Sequence, residues 1–333
     1  YNLGLAILYE IINQLQDALA ESVYSPWTVM EAALKGADIP LFSLETKHLV
    51  KHFDILGISL PYETLYTNTL NLLDMSGIPL FTSQRDETHP LVVAGGHATY
   101  NPEPMHAFID AFVIGEGEEA ISDIIDAYQV WKSADLSRQD LLESLASING
   151  IYVPSLYETE YHADGTLSAV RSRTESAPLP VVKRILPVLP PPPTKLVVPF
   201  VDTVHNRLPI EIMRGCTRGC RFCHAGMVTR PVRERSVEEI VSAIEDGVAH
   251  TGFEEIGLLS LSSSDYTHIL ELVNAVKERF VGRHLSISLP SLRIESVSVD
   301  LMDAIMSERR SGFTLAPEAA TERMRQIINK PVS

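Results

Sequence analysis

The sequence is short of thiols, of positive charge and of long apolar runs, and each shortage removes a class of protein. Its three cysteines all fall within eight consecutive positions, 216 to 223. Three thiols cannot all pair within one chain, and crowding them together suits a reducing compartment where thiolates bind metal, not a disulfide scaffold. Against 43 Asp and Glu stand 27 Lys and Arg, a formal net charge of −16. Wide contact with nucleic acid rests on cations that neutralise phosphates, so broad nucleic-acid binding is not expected. No apolar run approaches the roughly 18 residues of a bilayer span, and the opening residues form neither a basic leader nor a small-residue cleavage site. A cytoplasmic protein with no membrane partner is the resulting expectation.

What is present reads as globular protein. Apolar residues make up 45% and charged residues 21% of 333 positions, and at about 100 to 200 residues per domain this length predicts two domains. Residues 5–20 and 26–36 show helical periodicity, the second with Ser25 as N-cap and Pro26 at the first helical position. Short apolar strands are expected at 53–60, 90–96 and 110–117, with helices at 64–75 and after the third strand. Strands alternating with helices predict a mostly parallel α/β sheet covered on both faces, with ligands outside the carboxyl ends of the strands. Gly95, Gly96 and Gly115 lie there. The stretch "GEGEEA" at 115–120 formally matches a dinucleotide fingerprint, yet Glu116, Glu118 and Glu119 would set negative charge where a pyrophosphate must approach. A tight turn opening a helix is the better reading.

From about 150 the pattern changes. Residues 157–170 alternate in period two around Asp164-Gly165, a hairpin signal. Pro178, Pro180, Pro187 and the run Pro190 to Pro193 then impose extended chain, so 151–205 reads as a hairpin and a semi-rigid connector between a first domain at 1–150 and a second at 206–333. The second opens with the strand "LPIEIMRG", after which Ser236 and Glu239 form a capping box for the next helix. Three further pairs follow: strand 254–261 with helix 266–280, strand 285–290 with helix 299–308, and strand 312–317 with helix 319–329. Four βα units in a row would leave parallel edges unpaired. A barrel cut short is the expectation and, with no Met at position 1, a piece of a longer chain.

The cysteines are spaced Cys216, Cys220, Cys223, on the loop at the carboxyl end of that domain's first strand. Three such ligands can converge on one metal centre and leave a coordination position open, as catalysis needs. A structural zinc site wants four protein ligands, usually in two separated pairs, and His224 adjoins Cys223 too closely to complete the set without strain. Cysteine thiolates are the normal ligands of iron–sulfur clusters, where a three-Cys site leaves one iron free for an exogenous ligand. Arg214, Arg218, Arg221, Arg230, Arg233 and Arg235 crowd around the loop, either as a local positive spot or as partners of surface carboxylates.

At these residues the sequence resembles a known family. "CTRGCRFC" is similar to the cluster loop of radical S-adenosylmethionine (SAM) enzymes. The resemblance implies a 4Fe-4S cluster on Cys216, Cys220 and Cys223, with SAM on the open iron. Reductive cleavage of SAM would give a 5′-deoxyadenosyl radical, driven by an electron donor such as flavodoxin or ferredoxin, on a substrate the sequence does not name. It also implies that Phe222 lies along the adenine. The stretch "AGMVTRPVRERS" after the cysteines resembles the corresponding part of radical SAM methylthiotransferases. "LLSLSSSDY" at 258–266 stands where the family holds SAM's methionine end, which makes Ser262 and Ser264 candidates although the familiar Gly-Gly-Glu is missing. "TLAPEAATERMRQIINK" resembles the fourth-strand segment, making Glu318 either a SAM contact or a helix N-terminal carboxylate. Arg293, past the third strand, is a candidate for balancing SAM's carboxylate or for a surface ion pair.

In the first half, "NLGLAILYEIIN", "FDILGISLPYETLYTNTLNLLDMSGIPL", "PLVVAGGHATYNPEP" and "DAFVIGEGEEAI" resemble the Rossmann-like, cobalamin-binding-like domain that precedes the barrel in one group of these proteins, so the fold expected is that domain followed by a partial (β/α) radical SAM barrel. Gly95 and Gly96, with His97 beside them, fall where such a sheet meets its cofactor. Cobalamin is a candidate cofactor by this resemblance, but the Asp-x-His-x-x-Gly loop that supplies a cobalt-ligating histidine is absent. Two alternatives stand beside the radical SAM enzyme. A methylthiotransferase-like enzyme would ordinarily carry further cysteines in its first domain, where this chain has none. A non-enzymatic zinc or iron–sulfur protein would bind metal without cleaving SAM.

Overall fold

A computed structural model describes residues 2–201, 203–283, 285–294, 299–306 and 316–331. The chain divides into two compact units, one of Ile11–Ile185 and the other of Leu186–Ser333 with Tyr1–Glu10.

The chain opens with helices α1 (Leu3–Gln14) and α2 (Thr28–Gly36). Both are shorter than their periodicity predicts. The Asn13 side chain accepts from the Ala20 amide at 2.9 Å and donates to the Ala20 carbonyl at 3.3 Å, so residues 15–20 close a side-chain-pinned loop instead of continuing the helix. Trp27, with ψ at 158°, is the N-cap of α2, which leaves Ser25 and Pro26 before the helix.

A four-stranded sheet follows, in the order β1 (Ile55–Ser59), β2 (Leu91–Gly95), β3 (Ala111–Val113), β4 (Ile151–Tyr152). The first three strands are parallel, with Ser59 opposite Gly95 and Gly95 opposite Val113, and β4 closes the edge antiparallel to β3. Helices α3 (Tyr66–Ser76), α4 (Gly117–Ala134) and α5 (Arg138–Ala146) are interleaved with the strands. The central strand is apolar because it is covered: Leu91, Val92, Val93 and Ala94 are all buried. Neither α5 nor the two-residue β4 is foreseen by apolar periodicity.

Where the parallel strands begin, this unit holds a buried ionic triad. Asp110 Oδ2 accepts from Arg85 Nη1 and Arg138 Nη2, each at 3.0 Å, and from the Val92 amide at 2.8 Å. Other guanidinium protons go to carbonyls, Arg85 donating to Pro79, Leu80 and Phe108 and Arg138 to Asp86, His89 and Pro90, while the buried Arg138 Nε has no partner. Two loops and the start of α5 are thereby tied to the sheet.

The hairpin is present as β5 (Tyr157–Tyr161) and β6 (Leu167–Ser172), antiparallel, with Asp164 Oδ1 accepting from the Thr166 amide in the turn. Beyond it the chain returns to the end of β3. Arg184 bridges Gly115 in parallel, and a Cβ at Gly115 would sit 2.2 Å from the Arg184 carbonyl oxygen. Its guanidinium pairs with Glu119 at 2.9 Å and Asp123 at 2.5 Å on α4. The glutamates of "GEGEEA" therefore sit at a turn sealed by the protein's own backbone.

The second unit is built on a parallel sheet in the order β11 (Ser286–Ser288), β10 (Glu255–Leu259), β7 (Leu208–Glu211). A short antiparallel pair, β8 (Met213–Arg214) with β9 (Arg233–Glu234), brackets the cysteine loop, which runs into the one-turn helix α6 (Ala225–Val228). Helices α7 (Val237–Thr251), α8 (Ile269–Arg279), α9 (Val299–Met306) and α10 (Glu322–Ile327) complete it. Leu208, Ile210, Ile240, Ile244, Ile256, Leu258, Leu272 and Val273 form the fully buried heart of this core. Ser236 caps α7 by accepting from the Glu239 amide at 3.2 Å, but the Glu239 carboxylate accepts from Arg235 at 2.5 Å. Most of the expected fourth strand, 312–317, lies outside the described residues. Among the described residues no helix is long and apolar enough to cross a membrane.

Candidate metal centre

The cysteine loop leaves the sheet through a turn that only glycine suits. Gly215 has φ +92°, and a Cβ there would lie 2.7 Å from the Pro231 carbonyl oxygen. Beneath the loop, Arg235 is buried. It donates from Nε to the Glu211 carbonyl at 2.9 Å and pairs with Glu239, while the Tyr266 hydroxyl donates to the Arg235 carbonyl at 2.8 Å. Burial, reinforced by the carboxylates of Glu234 and Glu271, pushes the Tyr266 phenol up to about 12, so it stays a neutral donor.

All three cysteines are unpaired thiols; Cys220 is buried, and Cys216 and Cys223 are partly exposed. Each sulfur has an N–H donor. The Arg218 amide donates to Cys216 Sγ at 3.5 Å, the Gly226 amide to Cys223 Sγ at 3.3 Å, and Arg293 Nη1 to Cys220 Sγ at 3.5 Å. Hydrogen bonds to ligand sulfurs are among the means by which proteins tune iron–sulfur centres. No three His, Cys, Asp or Glu side chains among the described residues are gathered as around a metal ion; the case for a centre here rests on the donor set, three thiols on one loop. Their chemistry fits an iron–sulfur cluster.

The polar residues predicted from sequence meet this loop unevenly. Ser262, Ser263 and Ser264 are buried at the end of β10. Ser264 Oγ accepts from the Arg293 amide at 3.0 Å, which joins the ends of the second and third strands, and Arg293 reaches on to Cys220. Ser262 Oγ donates to Asp265 Oδ2 at 2.6 Å, and Asp265 receives a bidentate pair from Arg218, inside the cysteine motif, with Nε at 2.8 Å. Asp265 is the residue that sequence reasoning missed; an acid in the strand-end loop opposite an arginine of the cysteine motif was its available signal. Arg293 therefore contacts the cysteine loop. Phe222 is 53% exposed. Glu318 has φ +64° and pairs with Lys330 at 2.9 Å, three residues ahead of the N-cap Thr321, so it is not a first-turn carboxylate of α10.

Of the six clustered arginines, Arg214 pairs with Glu211, Arg218 with Asp265 and Arg235 with Glu211 and Glu239. Arg233 donates to the Leu186, Thr229 and Pro231 carbonyls. Most of the local positive charge is therefore already engaged. Gly95 and Gly96 belong to the first unit, at the end of β2. There a Cβ at Gly96, φ +121°, would lie 2.6 Å from the Leu60 carbonyl oxygen, so that glycine lets the β1 and β2 ends cross.

Three thiols sit on the loop after the first strand of a parallel β/α unit, each with its own N–H donor. Residues 4–154 match the family described as radical SAM proteins, N-terminal, and residues 210–333 match the radical SAM superfamily. The chain carries a radical SAM N-terminal domain and a radical SAM superfamily domain. It is 27% identical over 302 residues to an uncharacterized protein of Methanocaldococcus jannaschii, covering 90% of this chain and 57% of that one. Among solved structures it resembles the radical SAM methyltransferase TsrM from Kitasatospora setae with tryptophan substrate and a SAM analog bound, at a TM-score of 0.58 and 12% identity, over 97% of this chain and 58% of that one. The same enzyme with cobalamin and a [4Fe-4S] cluster bound gives 0.53 and 13%, over 92% and 56%. The likeness is one of fold, and the chain spans a little over half the length of these relatives.

Proposed function

We propose that this chain is the cofactor-binding part of a radical SAM enzyme, with the cobalamin-binding-like domain at 1–150, the hairpin and connector at 151–205 and the first βα units of the barrel at 206–333. The observation that carries the reading is the set of N–H donors on the sulfurs of Cys216, Cys220 and Cys223, beside a floor of buried serines. A 4Fe-4S cluster held by those thiolates supplies, when bound, the electron that cleaves SAM to methionine and a 5′-deoxyadenosyl radical.

The chain's own residues prepare that site. The Arg218 and Gly226 amides and the Arg293 guanidinium donate to the three sulfurs and orient them. Ser262, Ser264 and Arg293 offer hydroxyl and guanidinium groups to SAM's amino-acid end, Phe222 offers an exposed ring to its adenine, and Glu318 is a further SAM contact in this reading. Cobalamin is the second cofactor the family admits. Here Gly96 and Gly115 pack against Leu60 and Arg184 of the same chain, and the cobalt-ligating motif is missing. No step is assigned to cobalamin.

The test is anaerobic reconstitution with iron and sulfide, then incubation with SAM and dithionite. About four irons per chain and reductant-dependent 5′-deoxyadenosine are expected. Metal uptake without 5′-deoxyadenosine under any reductant would favour a non-enzymatic metal protein.

A further inference from the structure

We infer that Asn329 is a positioning residue for the cysteine loop, holding the backbone just before Cys220 while its neighbour Ile328 holds it just after; the consequence for cluster retention rests on the radical SAM reading. Residues 215–224 have no regular secondary structure of their own. Across their middle, Asn329 Nδ2 donates to the Gly219 carbonyl at 2.9 Å and to the Arg218 carbonyl at 3.3 Å, and the Arg221 amide donates to the Ile328 carbonyl at 2.9 Å. Three bonds from two adjacent residues thus fall on Arg218, Gly219 and Arg221. The segment that provides them is itself fixed. Thr321 caps α10 by accepting from the Met324 amide, Arg325 Nη1 donates back to the Ala319 and Ala320 carbonyls, and Lys330 pairs with Glu318.

Asparagine suits this place for two separate reasons. Its backbone is left-handed, φ +55°, a conformation Asn tolerates better than other side chains bearing a Cβ. Its amide nitrogen also carries two protons, enough for two carbonyls. On the other side Arg218 is drawn to Asp265 and the Cys216 carbonyl accepts from Arg230 at 3.4 Å, so the loop is held between two anchors that lie far apart in sequence. Thiols that must keep a fixed separation need such a frame, because the loop's own backbone bond, from the Cys223 amide to the Cys220 carbonyl at 3.1 Å, ties only two of them.

Two substitutions separate the amide from the backbone. Asn329→Gly keeps the left-handed conformation and removes the donor; Asn329→Asp keeps the shape and turns an oxygen toward two carbonyls. In the metal-free protein the Arg221 amide is expected to be protected from hydrogen exchange, and in both variants to exchange about five- to tenfold faster at an unchanged thermal midpoint, the range set by losing one or two neutral hydrogen bonds. In reconstituted protein, iron loss to a chelator should quicken by the same factor. Exchange of Arg221 at the open-chain rate in the unaltered protein, or equal exchange and iron-loss rates in all three proteins, would overturn the clasp. Failure of the unaltered protein to take up a cluster, with Arg221 protection still dependent on Asn329, would leave the clasp supported and sink the radical SAM reading instead.

Discussion

Cys220→Ala is expected to leave less than about one iron per chain after anaerobic reconstitution, with 5′-deoxyadenosine formation at background, because two remaining thiolates do not retain a cluster that three hold. Cys220 is the buried member of the set and the one that Arg293 contacts, so its loss removes a ligand and also leaves a guanidinium donor without its sulfur. The fold should survive. The side chain lies on a loop outside every helix and strand, and far-UV circular dichroism and the thermal midpoint should match the unaltered protein. A variant that still held about four irons and cleaved SAM would show that these cysteines are not the ligands.

Asp110→Ala is expected to destabilise the first unit by about 3–5 kcal/mol, a large part of the total for an ordinary domain. The reason is charge. Asp110 is the carboxylate between two buried guanidiniums, and its removal strands both Arg85 and Arg138 in the interior and takes the acceptor from the Val92 amide. Asp110→Asn, which keeps an acceptor but no charge, should fall between. Urea unfolding followed by circular dichroism reads the effect; a loss under about 1 kcal/mol in the alanine variant would mean that the carbonyls around each arginine suffice without the anion.

Sequence patterns reached those features whose cause is local. Buried parallel strands announce themselves as short apolar runs, so β1, β2, β7 and β10 were legible to within a few residues, and so was the place of Cys216, Cys220 and Cys223 on the loop after the second unit's first strand. Helix ends were less legible, because a single side chain decided them: Asn13 turned to Ala20 and ended α1. What sequence could not show was pairing at long range. Arg218 finds Asp265 across 47 positions and Asn329 finds Gly219 across 110, and no periodicity encodes either. The buried triad at Asp110 escaped for the same reason, since an acid just before a strand reads equally well as a solvated turn.

The most direct measurement is the electron paramagnetic resonance spectrum of the dithionite-reduced, reconstituted protein, recorded with and without SAM. If Cys216, Cys220 and Cys223 hold a cluster with one position open to SAM, the reduced-cluster signal should be present and should change its line shape when SAM is added. A reduced-cluster signal that SAM leaves unaltered at saturating concentration, or no cluster signal in fully reconstituted protein, would contradict a SAM-binding iron–sulfur centre on this loop.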